Sequence, residues 1–194
     1  MKANMNFDKY LEESEVINFS HPKIEALAKT IAKDCKDEMI GHSPIIDEFI
    51  CKINNKDAQK LSSLSNSLLK YLFDEEIPKW FQDSFSVEEF EKRIQSQEYK
   101  HFGYMIENQI VGFIAIKEDT HLFHLFVEEK YHQQHIGKKL WEFVKENIEF
   151  ETMSTNASLY AINVYESFGF KQERKIQTYK ELEFLPMVYK KDLR

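Results

Sequence analysis

A chain of 194 residues of which 42% are hydrophobic holds one domain, or one domain with a short extension, and carries too much apolar surface for global disorder. Its 33 acidic against 26 basic side chains leave a net charge of −7, which argues against a nucleic-acid partner and favours cationic ones by steering. Cys35 and Cys51 are isolated, with no metal-ligand spacing, as in a protein of a reducing compartment that holds no metal. No apolar signal core opens the chain and no apolar run approaches ~18 residues, so a soluble cytoplasmic protein with no membrane partner is expected.

Residues 1–46 read as a short helical N-terminal extension and 47–194 as one domain. Ser20 or His21 caps a helix that opens at Pro22 and runs over 23–33, with Ile24, Leu27, Ala28 and Ile31 on one face. Residues 40–47, with Gly41 and Pro44, form a connector. Phe49–Ile53 reads as a short strand. Asn55 or Asp57 then caps a helix predicted over 58–73, whose Leu61, Leu64, Leu68, Leu69 and Leu72 are amphipathic. Ser86, with Glu89 three residues on, opens a helix over 86–97. Strands at 101–106 and 110–116 flank a turn of Glu107, Asn108 and Gln109. Residues 121–127 form a third strand, almost wholly apolar apart from His121 and His124.

The next stretch carries the chemistry. Tyr131–Lys139 is a basic turn that opens a helix predicted over 136–148, with Ile136, Leu140, Val144 and Ile148 at four-residue steps and Phe143 alongside. A helix that starts directly after a strand offers unpaired N–H groups and a partial positive charge to an anion such as pyrophosphate. Lys138 and Lys139 add charge, and Gly137 admits a close approach. A polar strand over 152–158 leads into a helix over 159–168 bearing Ala161, Val164, Tyr165 and Phe168. Gly169 sits at the C′ place. Strands at 170–174 and 184–189 end the chain. Tyr165 is a phenol able to donate a proton to a departing thiolate.

Residues 122–170 resemble the two central motifs of the GNAT superfamily of N-acetyltransferases, and the similarity extends over roughly 47–190. In the family pattern His132 stands where Arg or Gln is usual, His135 at the first glycine and Gly137 at the second; a His at that first place speaks against a positive φ there, while a side chain directed to solvent would be tolerated. The second motif matches through Ala161, Tyr165, Gly169 and Phe170. The resemblance implies an α/β (α+β) fold, a mixed, mostly antiparallel twisted sheet flanked by helices. It implies acetyl-CoA as co-substrate, with the pantetheine arm along Leu125, Phe126 and Val127. The pyrophosphate then falls to the turn His132, Gln133, Gln134, His135, Ile136, Gly137 and Lys138. Ser158 or Asn156, and Asn163, fall where the cofactor arm is met. Tyr165 takes the place of the family's general acid, and the Val127 N–H that of the oxyanion donor. His121 falls at the place of the general base of histone-acetylating members. His124 and a held water stay open as alternatives; a regular strand would turn His124 to the face opposite His121, and a bulge between them, which the resemblance makes common, would change that relation.

The expected reaction is direct attack of a primary amine, from a small molecule or a peptide, on acetyl-CoA in a ternary complex. Two other readings remain: an acyl-CoA-binding sensor or partner module without chemistry, and a protein lysine or N-terminal acetyltransferase. An open groove would suit a protein acceptor. A pocket closed by residues 73–95, with Phe73, Trp80, Phe81 and Phe85, would suit a small one. A homodimer is one assembly the sequence leaves open. Residues 15–28 resemble the N-terminal lead-in of transglutaminase-like domains, whose Cys-His-Asp core is missing here; the segment reads as a helical arm.

Overall fold

The computed structural model describes residues 48–72, 76–180 and 182–191. The extension over 1–46, its predicted helix, the 40–47 connector, Cys35 and Phe73 lie outside the described residues. In chain order the elements are β1 (Glu48–Lys52), α1 (Ala58–Leu68), α2 (Lys79–Asp83), α3 (Val87–Gln95), β2 (Tyr99–Ile106), β3 (Gln109–Lys117), β4 (His121–Val127), α4 (Ile136–Asn147), β5 (Thr152–Ser158), α5 (Ile162–Ser167), β6 (Lys171–Gln172), β7 (Gln177–Tyr179) and β8 (Leu182–Lys190). The strands form one sheet in the order β1-β2-β3-β4-β5-β8-β6, with β7 also on β8. Every pairing is antiparallel except β4 with β5.

Local chemistry sets the element ends. Asn54 closes a reciprocal cap: its Oδ1 accepts from Lys56 N–H at 3.2 Å, while Asp57 Oδ2 accepts from Asn54 N–H at 3.0 Å. The turn Asn55–Asp57 then feeds α1, which tightens after Leu68 into a 3-10 turn over Leu69–Tyr71, so it is shorter than predicted. Ser86 Oγ accepts from Glu89 N–H at 3.3 Å, but the Glu89 carboxylate pairs with Lys92, so the capping box of α3 is half made. The β2–β3 turn has two residues: Glu107 and Asn108 are both left-handed, at φ 49° and 62°, and Gln109 pairs with Ile106. The predicted helix over 159–168 is a 3-10 turn, Leu159–Ala161, followed by α5. Gly169 ends it at φ +91°, with Phe170 N–H on Tyr165 C=O at 3.0 Å and Gly169 N–H on Glu166 C=O at 2.9 Å.

Two cores flank the sheet. On one face Ile136, Leu140, Trp141 and Val144 of α4 pack on Ile114, Ile116, Leu122, Met153 and Met187. Trp141 is fully buried and its indole N–H donates to Phe168 C=O at 3.3 Å, tying α4 to the end of α5. On the other face Leu61, Leu64 and Leu68 of α1 and Phe90 of α3 pack on Ile110 and Phe113. Burying a Leu or Phe side chain contributes about 1.5–3 kcal/mol, so these two faces dominate the fold's stability. Gly112 lets α4 press onto the sheet. A Cβ there would lie 3.1 Å from Phe126 O and 3.2 Å from Ile136 Cγ2. Among the described residues no helix is long and apolar enough to cross a membrane.

Two irregularities in β4 break the regularity of the sheet near its centre. Leu122 pairs with Ile116 but His124 pairs with Ala115, so Phe123 is an extra residue, a bulge. Along its other edge β4 pairs with β5 only at His121–Ser154 and Leu122–Thr155. Beyond that rung the two strands part.

Candidate active site

The parting of β4 and β5 opens a wedge whose walls carry unpaired main-chain groups. Glu128 N–H donates to Val111 C=O of β3 at 2.8 Å, which turns the main-chain groups of Val127 the other way. Alternation turns those of Leu125 the same way, into the wedge, while Phe126 pairs with Phe113. The Val127 C=O accepts from His132 Nε2–H at 2.8 Å, leaving the Val127 N–H directed into the gap. The wedge continues into a cleft of about 500 Å³ that reaches Tyr131, the turn 132–138 and Tyr165.

The turn at one end of the cleft is built from left-handed residues. Gln133 has φ 64° and His135 has φ 59°, ψ 15°. The positive φ that a His at this place speaks against is present: the His135 backbone takes the conformation glycine would favour, and the residue is exposed. A non-glycine residue in this region costs roughly 1–2 kcal/mol. The first main-chain bond of α4 is Lys139 N–H to His135 C=O at 2.9 Å, and His135 supplies no side-chain cap. The amides of Ile136, Gly137 and Lys138 therefore lack helical acceptors and face outward, a concave array suited to an anion. A Cβ at Gly137 would point at Phe168 Cζ (3.5 Å), Leu125 and Val127, the apolar floor of the cleft.

Tyr165 stands at the apex. It lies beside Thr155, whose Oγ1 donates to Leu122 C=O at 3.0 Å. Leu122 and Thr155 form the last rung before the strands part. Burial raises the phenol pKa to about 12, so it keeps its proton. Phe168 and Phe170 pack edge-on against its ring, at 6.2 and 5.5 Å.

The bulge at Phe123 changes the relation of the histidines. His121 pairs with Lys117 and His124 with Ala115, two residues apart on β3, so both rings project to the α1/α3 face. This differs from the regular-strand expectation, because the extra residue restores the same parity. His121 Nδ1 lies 2.8 Å from Ser154 Oγ, and Ser154 Oγ donates to Thr120 C=O at 3.2 Å. The hydroxyl proton is thereby committed, so Nδ1–H donates to Ser154 and Nε2 keeps its lone pair. Burial, then Lys117, holds the His121 pKa below 6.5. His124 is 8% exposed, packs among Phe85, Phe90, Phe113, Phe123 and Phe126, and is held neutral well below its ordinary pKa by burial.

Aromatic rings roof the wedge on the histidine face. Phe126 of β4 meets Phe85 at 5.7 Å, Phe85 meets Phe81 at 5.2 Å, Phe81 meets Trp80 at 5.4 Å, and Trp80 meets Tyr179 of β7 at 5.6 Å. In the sheet β5 and β8 lie between β4 and β7, so this chain of rings passes over the gap. Tyr71 and Tyr160 stack at 5.2 Å and 17° across the cleft. Ion pairs of Lys60 with Glu128 and of Lys70 with Glu129 (2.9 Å) fasten the α1 side to the loop after β4, so these glutamates are paired as well as solvated.

Of the residues singled out from sequence, Leu125, Phe126, Val127, His132, Gln133, His135, Ile136, Gly137, Lys138, Ser158 and Tyr165 line one cleft. Gln134 instead turns its amide to Lys130 C=O at 3.4 Å, Asn163 is exposed on α5, and His121 lies at the apex on the opposite face from Tyr165. Tyr71, Leu72, Tyr131 and Tyr160 also line the cleft and were not anticipated. An aromatic placed just after a helix or strand carries no sequence signal that separates wall from core. Among the described residues no group of His, Cys, Asp and Glu could hold a metal ion.

A family model described as an acetyltransferase (GNAT) domain matches residues 68–191. No curated protein matches. Solved structures with the same fold include a GCN5-related N-acetyltransferase from Rhodopseudomonas palustris (TM-score 0.63, 15% identity, covering 77% of this chain and 99% of that one). Another is the PaiA N-acetyltransferase from Thermoplasma acidophilum in complex with coenzyme A (0.60, 20%, 75% and 99%). A third is an aminoglycoside 6'-N-acetyltransferase complexed with coenzyme A (0.56, 17%, 73% and 96%).

The left-handed turn generates a direct check. His135→Gly relieves the Cβ clash but adds freedom to the unfolded chain. A net gain is expected, raising Tm by about 1–3 °C in thermal unfolding. A lower Tm would mean that residue 135 does not hold φ near +59°.

Proposed function

We propose that this chain, which belongs to the acetyltransferase (GNAT) family, moves an acetyl group from acetyl-CoA to a primary amine by direct attack within a ternary complex. The observation that carries this reading is the buried, proton-bearing Tyr165 phenol, which lines the cleft where β4 and β5 part. In this reading the amides of Ile136, Gly137 and Lys138 receive the diphosphate, with the helix N-terminus contributing a favourable partial charge. The inward main-chain groups of Leu125 receive a pantetheine amide as an added strand would, which leaves the Val127 N–H for the acyl carbonyl. Acetyl-CoA supplies the activated acyl carbon.

The chain's own residues then move two protons. A primary amine with pKa near ~10 is almost wholly charged at neutral pH and must lose a proton to attack. His121 Nε2, neutral and facing the roofed side, takes that proton directly or through a water. As the C–S bond breaks, Tyr165 on the other face of the sheet protonates the thiolate. A phenol with its pKa raised to about 12 keeps its proton until sulfur needs it. The Val127 N–H is placed to stabilise the carbonyl oxygen as charge develops on it, an interaction worth roughly 3 kcal/mol in comparable sites. The one cysteine among the described residues offers no nucleophile: Cys51 lies on edge strand β1, away from the cleft.

The roof from Phe85 to Tyr179 favours a small amine over a protein lysine. It closes the histidine face where an extended peptide would have to lie. The net charge of −7 favours a cationic acceptor by steering.

Two measurements test the chemistry. Tyr165→Phe should lower kcat about tenfold or more while leaving acetyl-CoA affinity unchanged, read by steady-state kinetics and calorimetry; wild-type turnover would remove the phenol from the reaction. His121 must be neutral to act, and its pKa is depressed, so the rate should stay high through neutral pH and fall only below 6.5. His121→Gln should abolish that acid limb in kcat/KM and lower the rate on the order of a hundredfold. An acid limb unchanged in the variant would assign it to another group.

A further inference from the structure

The second core contains polar atoms that the fold leaves without partners. On the α1/α3 face His101 of β2, Ala115 of β3 and His124 of β4 stand in one row across the sheet. The three residues are 2%, 0% and 8% exposed. Ala115 contributes only a methyl group, so the space above it is bounded by the imidazoles on either side. Arg93 of α3 lies near enough to lower the pKa of both imidazoles, with its guanidinium carbon 5.4 Å from the Phe90 ring and 5.5 Å from the Phe123 ring. Its Nη2 donates to Ser84 C=O, and its nearest carboxylate is Glu89 at 3.8 Å. Three atoms in this cluster are buried without a hydrogen-bond partner: Arg93 Nη1, His101 Nε2 and His124 Nδ1. An unpartnered buried polar group costs about 1–3 kcal/mol, so three in one cluster mark a missing component.

We propose that Arg93, His101 and His124 enclose a binding site for a single internal water molecule. The hydrogen-bond capacities match one water and no more. A water accepts from the Arg93 Nη1–H and donates its two protons to His101 Nε2 and His124 Nδ1, three bonds in all, the usual number for a buried water. That assignment requires both imidazoles to be neutral, with their protons on His101 Nδ1 and His124 Nε2. Burial and the nearby guanidinium keep them so: the His101 pKa is lowered to about 4 and that of His124 lies well below 6.5. A bound anion would require the reverse, a proton on each inward nitrogen. The water has a structural consequence for the wedge. The Phe123 ring packs against both the Arg93 guanidinium, at 5.5 Å, and the His124 ring, at 4.3 Å, so the hydrated cluster touches the bulge residue itself.

The test is a crystal structure of the full chain at a resolution that shows ordered water, with a second crystal soaked in bromide. The expected result is one full-occupancy peak within about 2.7–3.2 Å of all three nitrogens, without anomalous signal after the soak. An empty space, side chains bonded directly to one another, or a bromide peak at that position each overturns the proposal. Nitrogen-15 NMR of the histidine rings at neutral pH checks it in solution. Unprotonated acceptor shifts are expected at His101 Nε2 and His124 Nδ1, and a proton on either nitrogen contradicts the assignment.

Discussion

The separation of β4 from β5 after the Leu122–Thr155 rung is the constraint on which the site depends. A sheet that continued to pair there would satisfy every main-chain group of Leu125 and Val127 and leave nothing for a ligand. Two features hold the strands apart. The bulge at Phe123 increases the local twist of β4, and the Thr155 Oγ1 hydrogen bond to Leu122 C=O pins the last closed rung. Because β4 and β5 are parallel, the connection between them is a helical crossover, and its start lies at the open end of the wedge. The same parting thus creates an edge for an extended arm and places a helix N-terminus beyond it.

The two faces of the sheet are chemically unlike, and the wedge is where they communicate. The α4/α5 face holds a phenol that burial keeps protonated. The α1/α3 face holds histidines that burial keeps neutral. A proton donor and a proton acceptor on opposite sides of one opening suit a transfer in which a proton is lost on one side and gained on the other. The roof of rings limits what can reach the acceptor side. The acid–base arrangement, the family membership and the acceptor reading are consistent with one another, though each rests on separate observations.

Much of the fold was legible in the sequence because its signals are local. Strand β4 was placed residue for residue, and α4 missed by one, since alternation and four-residue apolar spacing are read within a few residues. The turn that opens α4 was legible from its basic residues and its place between strand and helix. The failures have physical reasons. The bulge at Phe123 depends on register with β3, which no local pattern encodes, so the sequence left open whether His121 and His124 share a face. The helix over 58–73 ended early because tertiary packing tightened its last turn around a fully buried Leu69. Helix α2 and strand β7 are short and gain their order from contact with each other through Trp80 and Tyr179, a long-range pairing. Gln134 and Asn163 follow a motif in sequence and are not among the residues that line the cleft.

The central claim is that the inward main-chain amides of β4 bind the arm of acetyl-CoA. Residue-resolved amide hydrogen exchange, with and without acetyl-CoA, measures this directly. The account predicts that Leu125 and Val127 exchange readily in the free protein and become strongly protected on ligand addition, while Phe126 and Glu128, paired to β3, change little. Protection that rises equally at all four positions, or not at all at Leu125 and Val127, would contradict it.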